Sequence, residues 1–255
     1  MTATQTFNAV VSMEEWLQAR RALLEQEKAL TRQRDELSRR RRELPWVKIE
    51  TNYVFDSPQG SMILADLFAG RTQLIVYHFM FGPDWEEGCP SCSMCADSLA
   101  AVLVHLEHRD TSLAMVSRAP IAKIEAFRKR MRWKLPWVSS CSNSFNRDFH
   151  VSFTKDEIQG EVYYNFGMNR FPSAEAPGVS VFYKNAGGSI FHTYSAYARG
   201  LEGLLGAYDL LDMTPKGRDE DQLGFTMAWV RHHDRYPETE AADSTGACCH
   251  STERP

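Results

Sequence analysis

The segment that most constrains this chain runs Phe81-Gly82-Pro83-Asp84-Trp85-Glu86-Glu87-Gly88-Cys89-Pro90-Ser91-Cys92-Ser93-Met94-Cys95. Upstream, residues 72–80 are rich in β-branched and aromatic side chains, which suits a central strand covered on both faces. Downstream, residues 96–108 contain neither Gly nor Pro and continue as a helix. A Cys-x-x-Cys at such a strand-to-helix junction is the redox signature of a cytosolic α/β protein. With Cys89 at the N-cap and Pro90 at the first helical position, Cys92 falls one turn in, within reach of a disulfide. The Cys89 sulfur then faces unpaired backbone N–H groups and the positive end of the helix dipole. Both favour a thiolate, so thiols at such sites have a pKa of roughly 7 or lower instead of about 8.5. Cys89 is the expected nucleophile and Cys92, shielded by the turn, the resolving thiol. Asp84, Glu86 and Glu87 work the other way, because carboxylates beside a thiolate raise its pKa, and the direction in which they point decides the outcome.

Size and charge bound the rest. A chain of 255 residues with 43% hydrophobic content can bury a substantial core. A formal net charge of -4 provides no broad basic field, which argues against nucleic acid and anionic membrane as partners. Residues 1–7 lack the basic and apolar regions of a secretion signal, and no apolar run approaches the ~20 residues needed to span a bilayer. The expectation is a soluble, cytoplasmic protein. In that compartment six cysteines read as thiols, catalytic groups or metal ligands, not as a disulfide framework.

In chain order, Ser12 and Glu15 form a capping box that opens a long helix, with residues 12–44 as an N-terminal element. Trp16, Leu23, Leu30, Leu37 and Leu44 recur every seven residues, but the partner seam is Arg20, Glu27, Arg34 and Arg41. The helix is expected to pack on its own domain, with a homodimer through this stripe as the alternative. The basic run Arg39 to Arg42 falls at a helix C-terminus, where the dipole favours cations, and needs no nucleic acid to explain it. Residues 45–236 are expected to form the main domain. Residues 46–55 alternate as a strand, 56–60 turn, and 61–64 return as a hairpin partner. Residues 111–117 read as a strand and 120–131 as a helix, a βαβα succession implying parallel strands. Residues 133–175 break into short pieces and read as an aromatic-rich insertion. Residues 179–183 and 189–194 form a hairpin around a Gly-rich turn, 201–211 the last helix. Residues 212–236 are irregular, with 225–230 as an apolar anchor, and 237–255 have the composition of a disordered tail.

From residue 72 onward the order strand, Cys-x-x-Cys helix, strand, helix, insertion, β-hairpin, helix resembles the thioredoxin fold. Cys89-Pro90-Ser91-Cys92 looks like the Cys-Pro-x-Cys of glutaredoxins, and the leading hairpin with residues 64–70 is similar to the N-terminal extension of peroxiredoxin-like proteins. More specifically, the run from Tyr77 to Cys92, residues 127–140, Gly160-Glu161-Val162-Tyr163-Tyr164, Tyr194-Ser195-Ala196-Tyr197-Ala198-Arg199-Gly200 and residues 225–236 resemble an uncharacterised bacterial thioredoxin-like family catalogued as domain of unknown function 899. The resemblance covers residues 12–236 and implies an α/β, thioredoxin-like fold with an N-terminal helix and hairpin extension; it adds little about substrate. Thioredoxin-like proteins carry a cis-proline just before the hairpin. Pro177 matches it by position, and a cis bond there would present the Ala176 backbone to an extended substrate. Trp85 and Pro90 complete the expected substrate-contact set. The peroxiredoxin pattern is not fully met: Pro83 is off register and Glu86 stands where a Thr or Ser is expected, which weakens peroxide reduction relative to thiol–disulfide exchange.

The remaining constellations are weaker. Cys95 extends the motif to Cys-x-x-Cys-x-x-Cys, but Leu99 stands where a ferredoxin run would place its fourth ligand. Cys95 therefore reads first as a buried small residue, then as a third redox thiol or a metal ligand. Cys141 is a weak resolving candidate and reads first as an inert core thiol. Cys248, Cys249 and His250 are soft ligands on the tail, where three roles stand open: a zinc or copper(I) site with Cys89 and Cys92, a resolving arm, or no function. His78 reads as a satisfied core histidine, and His232, His233 and Asp234 as a surface or structural anchor. The sequence points first to a thiol–disulfide oxidoreductase without a cofactor, acting on a protein or small-molecule disulfide and reset by a thiol reductant. A thiol peroxidase is the runner-up enzyme. A non-enzymatic thiolate metal-binding or redox-sensor protein is the third reading.

Overall fold

The alternation along residues 73–78 places one strand at the centre of the protein. In β4 (Gln73–His78), Leu74 and Val76 enter one apolar cluster while Ile75 and Tyr77 face another, as the period-2 pleat requires. The computed structural model describes residues 8–237. In it β4 pairs parallel with β5 (Thr111–Ser117) and antiparallel with β9 (Gly178–Lys184), which turns back into β10 (Ile190–Tyr197). Between β4 and β5 lies α2 (Pro90–Glu107), and α3 (Ile121–Arg130) follows β5. This core, β10-β9-β4-β5 with a helix opening at the end of the central strand, is the thioredoxin-like arrangement the resemblance implied. Three further pieces widen the sheet: β1 (Val47–Lys48) beyond β10, β6 (Trp137–Ser139) beside β5, and the hairpin β2 (Val54–Ser57) with β3 (Gly60–Ile63) outermost.

Several elements differ from expectation for physical reasons. The strand expected over residues 46–55 is interrupted between Lys48 and Val54. There Tyr53 turns inward, its ring edge-on to Phe145 at 4.9 Å and its hydroxyl donating to Asp148. At the start of the segment expected as an insertion, β6 pairs parallel with β5, because Trp137 and Val138 are both buried and need a covered position. Beyond β6 the chain forms a short helix α4 (Phe145–Asp148) and a separate two-stranded sheet, β7 (Val162–Tyr164) with β8 (Gly167–Asn169). These cover the second apolar cluster with Phe145, Phe149, Val151 and Tyr164. The last helix breaks at Leu205, a 3₁₀ segment (Ala198–Leu204) preceding α5 (Gly206–Leu211). In the irregular stretch the anchor is Val230 and His232, both buried, whereas Phe225 is exposed.

Ser12 and Glu15 cap α1 (Met13–Arg42) reciprocally as expected. The chain divides into two compact units at Val47, and no residue of α1 is buried. The tail beyond residue 237, including Cys248, Cys249 and His250, lies outside the described residues.

His78 is a core histidine, as expected, and the first member of a polar chain through the sheet. Its Nε2 is 2.8 Å from the Ser180 hydroxyl, which is 2.8 Å from that of Ser195, which in turn lies 2.8 Å from His192 Nε2. The His78 ring stacks on Phe149, and its Nδ1 has no partner among the described residues. Burial, helped by nearby His192, pushes its pKa down to about 3. The unfolded chain then binds a proton that the native state refuses between pH 6.5 and about 3, so stability falls as pH drops through that window. In denaturant titrations His78→Gln is expected to remove up to about 1.4 kcal/mol per pH unit of that slope.

Candidate active site

The site is built by a chain that leaves the central strand, loops, and returns to it. Beyond β4 the pairing with β5 continues: the Phe79 N–H donates to Val116 O and the Ala119 N–H to Phe81 O. Residues 82–85 then turn, with the Trp85 ring laid so closely over Gly82 that a Cβ there would sit 2.9 Å from Nε1. The loop closes when the Cys89 N–H donates to Met80 O at 3.0 Å. Gly88 is obligatory at the closure, since a Cβ would lie 2.6 Å from Phe79 and 2.8 Å from Phe127. Cys89 is the N-cap of α2 and Pro90 its exposed first residue, as the spacing predicts.

The three acids that threatened the thiolate are bound elsewhere or face solvent. Glu87 lies 3.0 Å from the Arg130 guanidinium and also pairs with Arg235. Glu86 lies 3.4 Å from Lys123, whose ammonium also donates to the carbonyls of Pro83 and Trp85. Asp84 is exposed.

A residue from the far end of the chain completes the loop. His232 is buried, with Nε2 2.8 Å from Gly88 O and Nδ1 2.9 Å from Arg130. A guanidinium only donates, so Nδ1 must accept and Nε2 must carry the proton that it gives to the Gly88 carbonyl. Arg130 is itself held bidentately by Asp234, at 2.8 and 2.9 Å, and His233 reaches Asp97 at 2.8 Å. The expected anchor is real, but it anchors the active loop. The Gly88–Cys89 peptide is thus gripped at both ends, its carbonyl by His232 and its N–H by Met80.

The three thiols of the motif are sharply differentiated. Cys89 is partly exposed, whereas Cys92 and Cys95 are buried and all three are free thiols. The Cys92 thiol, hydrogen-bonded to the Cys89 sulfur, does most to lower the Cys89 pKa to about 7; the backbone N–H groups of Cys92 and Ser91 add to it against partial burial. Burial drives Cys92 well above the ordinary thiol range and pushes Cys95 up to about 12. Tyr77, buried on the helix-facing side of β4, hydrogen-bonds to both Cys92 and Cys95. Nothing local in the sequence marks Tyr77 for this role, though the strand alternation puts it on that face. Cys95 is the buried small residue expected first.

The cis bond expected at Pro177 does not occur. No cis peptide occurs among the described residues, so Pro177 is trans. The Ala176 N–H donates to Val151 O at 2.9 Å, and the Pro177 carbonyl accepts from the Tyr164 hydroxyl at 2.7 Å. The reason is the strip covering that edge: Ser152 bridges Glu175, whose buried carboxylate holds Arg118 at 3.1 Å, so this segment is paired internally. Along residues 82–85 a cleft of about 510 Å³ is walled by Trp85, Arg118, Phe153 and Lys155, and Cys89 is not among its lining residues. Cys141, expected in the core, is exposed in the turn after β6. Among the described residues no group of three or more His, Cys, Asp or Glu side chains is placed to hold a metal ion, and no helix is long and apolar enough to cross a membrane.

Two variants probe the loop. Gly88→Ala forces Phe79 or Phe127 aside and is expected to cost about 1–3 kcal/mol in thermal or chemical unfolding. His232→Ala releases the Gly88 carbonyl and loosens the amides facing Cys89. The midpoint of its alkylation-rate-against-pH curve is expected to move upward from about 7, toward the ordinary thiol value of about 8.5.

Comparison with solved structures finds peroxiredoxins at low identity. PrxQ from Xylella fastidiosa, as a cysteine-to-serine mutant, is 14% identical, with 62% of this chain and 89% of that one covered and a TM-score of 0.40. The peroxidoxin BcpB from Mycobacterium tuberculosis is 11% identical over 64% and 91% of the two chains, TM-score 0.40. Peroxiredoxin Q from Xanthomonas campestris, again a cysteine-to-serine mutant, is 14% identical over 66% and 98%, TM-score 0.44. No curated protein matches the chain. A family profile matches residues 5–236, and the chain accordingly belongs to the family described as "Bacterial protein of unknown function (DUF899)".

Proposed function

We propose that this protein is a thiol–disulfide oxidoreductase of the cytoplasm, with Cys89 as nucleophile and Cys92 as resolving thiol. The observation that carries the reading is the pairing of a partly exposed sulfur at the mouth of α2 with a buried thiol hydrogen-bonded to it. Near neutral pH about half of Cys89 is thiolate, the balance at which a large reactive fraction offsets the lower intrinsic nucleophilicity of a more acidic thiol. Cys89 attacks one sulfur of a substrate disulfide, and the second sulfur leaves as a thiolate. Cys92 then attacks the Cys89 sulfur of the mixed disulfide; its proton passes to the departing substrate thiolate, and the Cys89–Cys92 disulfide forms. The substrate has gained two electrons, and an external thiol reductant returns them to the pair. The substrate reaches Cys89 past the exposed Pro90 and past Trp85, which walls the cleft along residues 82–85.

The keeping of Cys92 as a neutral thiol explains why the resting pair does not compete for incoming disulfides. Only the thiolate attacks, and Cys92 is far less acidic than Cys89. Formation of the mixed disulfide removes the negative charge beside Cys92, and that charge is one of the causes holding its pKa up.

Alkylation followed by mass spectrometry checks the assignment. Below pH 7 the Cys89 rate is expected to rise about tenfold per pH unit and to level off above it, while Cys92 and Cys95 stay protected. Cys92→Ala deletes the principal cause of the lowered pKa and shifts the Cys89 curve upward; Cys92→Ser accumulates the mixed disulfide with a model disulfide substrate. Should Cys89 react no faster than Cys95 near neutral pH, the exchange reading fails. Peroxide consumption by Cys92→Ser at the wild-type rate, with no mixed disulfide trapped, would reassign the site to a peroxidase.

A further inference from the structure

Helix α1 carries an apolar stripe along its whole length. Trp16, Leu23, Leu30, Leu37 and Leu44 are between 44% and 53% exposed, and Leu17 and Leu24 flank them. A thirty-residue helix draws most of its stability in water from packing such a face, and none of its residues is buried. Charge decides what can cover it. In a parallel pair each seam residue meets its own copy, so Arg20, Glu27, Arg34 and Arg41 would form four like-charge layers. The halves would also repel: residues 13–27 hold four acidic against two basic side chains, residues 28–42 seven basic against two acidic.

Reversing one helix removes both conflicts. With the two-fold axis between Lys28 and Ala29, Trp16 meets Arg41, Leu23 meets Arg34, Glu27 meets Leu30 and Arg20 meets Leu37. Each apolar side chain then lies under the methylene stem of a long polar one whose head reaches solvent. The acidic half of each helix faces the basic half of the other. Arg20 and Glu27 are already paired at 2.8 Å along the same helix, so they reach the seam as a compensated pair. We propose that α1 is a dimerisation element that pairs antiparallel with α1 of a second copy of this chain, forming an isologous two-fold interface ~45 Å long. The pairing is independent of the chemistry assigned to Cys89.

Sedimentation equilibrium and light scattering of the full chain across protein and salt concentration test this. The expected result is a dimer whose dissociation constant rises with NaCl, because its interface charges are complementary. Leu23→Lys/Leu37→Lys, which sets a lysine opposite Arg34 and Arg20 of the second copy, is expected to weaken it at least roughly a hundredfold, with the Cys89 alkylation rate unchanged. A dimer tightened by salt indicates the parallel arrangement and overturns the proposal. So does a dimer that survives the double substitution, which places the interface elsewhere. A monomer at all concentrations, with the stripe protected from amide exchange, shows that the helix covers its own domain and also overturns it.

Discussion

One peptide plane fixes the geometry of the candidate site. Between Gly88 and Cys89 the carbonyl is bonded to His232 and the N–H to Met80, so rotation of that plane breaks two hydrogen bonds at once. The plane sets where Cys89 stands relative to the first turn of α2, and hence how squarely its sulfur meets the amides of Ser91 and Cys92. Gly88 has aromatic rings where a Cβ would go, so the loop cannot relax outward and refill the gap. The Arg130–Asp234 and Glu87–Arg235 pairs hold the strap that carries His232. They are partly exposed and individually weak, but they share partners and act on a residue that is buried.

The same packing that exposes one sulfur silences two others. Cys89, Cys92 and Cys95 are spaced three residues apart, yet only the first reaches solvent, because the helix turns the next two toward β4. Tyr77 meets them there and satisfies thiols that would otherwise lack polar partners in an apolar cluster. The hydrogen bond from Cys92 and the burial of Cys92 and Cys95 together set the three thiols apart, the first lowered and the other two raised. Glu86 and Glu87 are diverted to Lys123, Arg130 and Arg235, which turns an apparent obstacle into the scaffold of the loop.

Much of this could be read from the chain. The capping box at Ser12 and Glu15, Pro90 after Cys89, and the apolar run of β4 are local signals, because caps, φ restrictions and alternation act between near neighbours. They determine where α1 and α2 begin, which strand is central, and that a thiol stands at a helix N-terminus. Tertiary structure alone decided the rest. That His232 closes a loop 144 positions away, that residues 137–139 join the main sheet, that Ala176 and Pro177 are internally paired, and that Glu86 and Glu87 turn from the sulfur all depend on contacts between distant segments. Such contacts are set by which surfaces can be buried together once the elements exist, and no pattern within a short window records them.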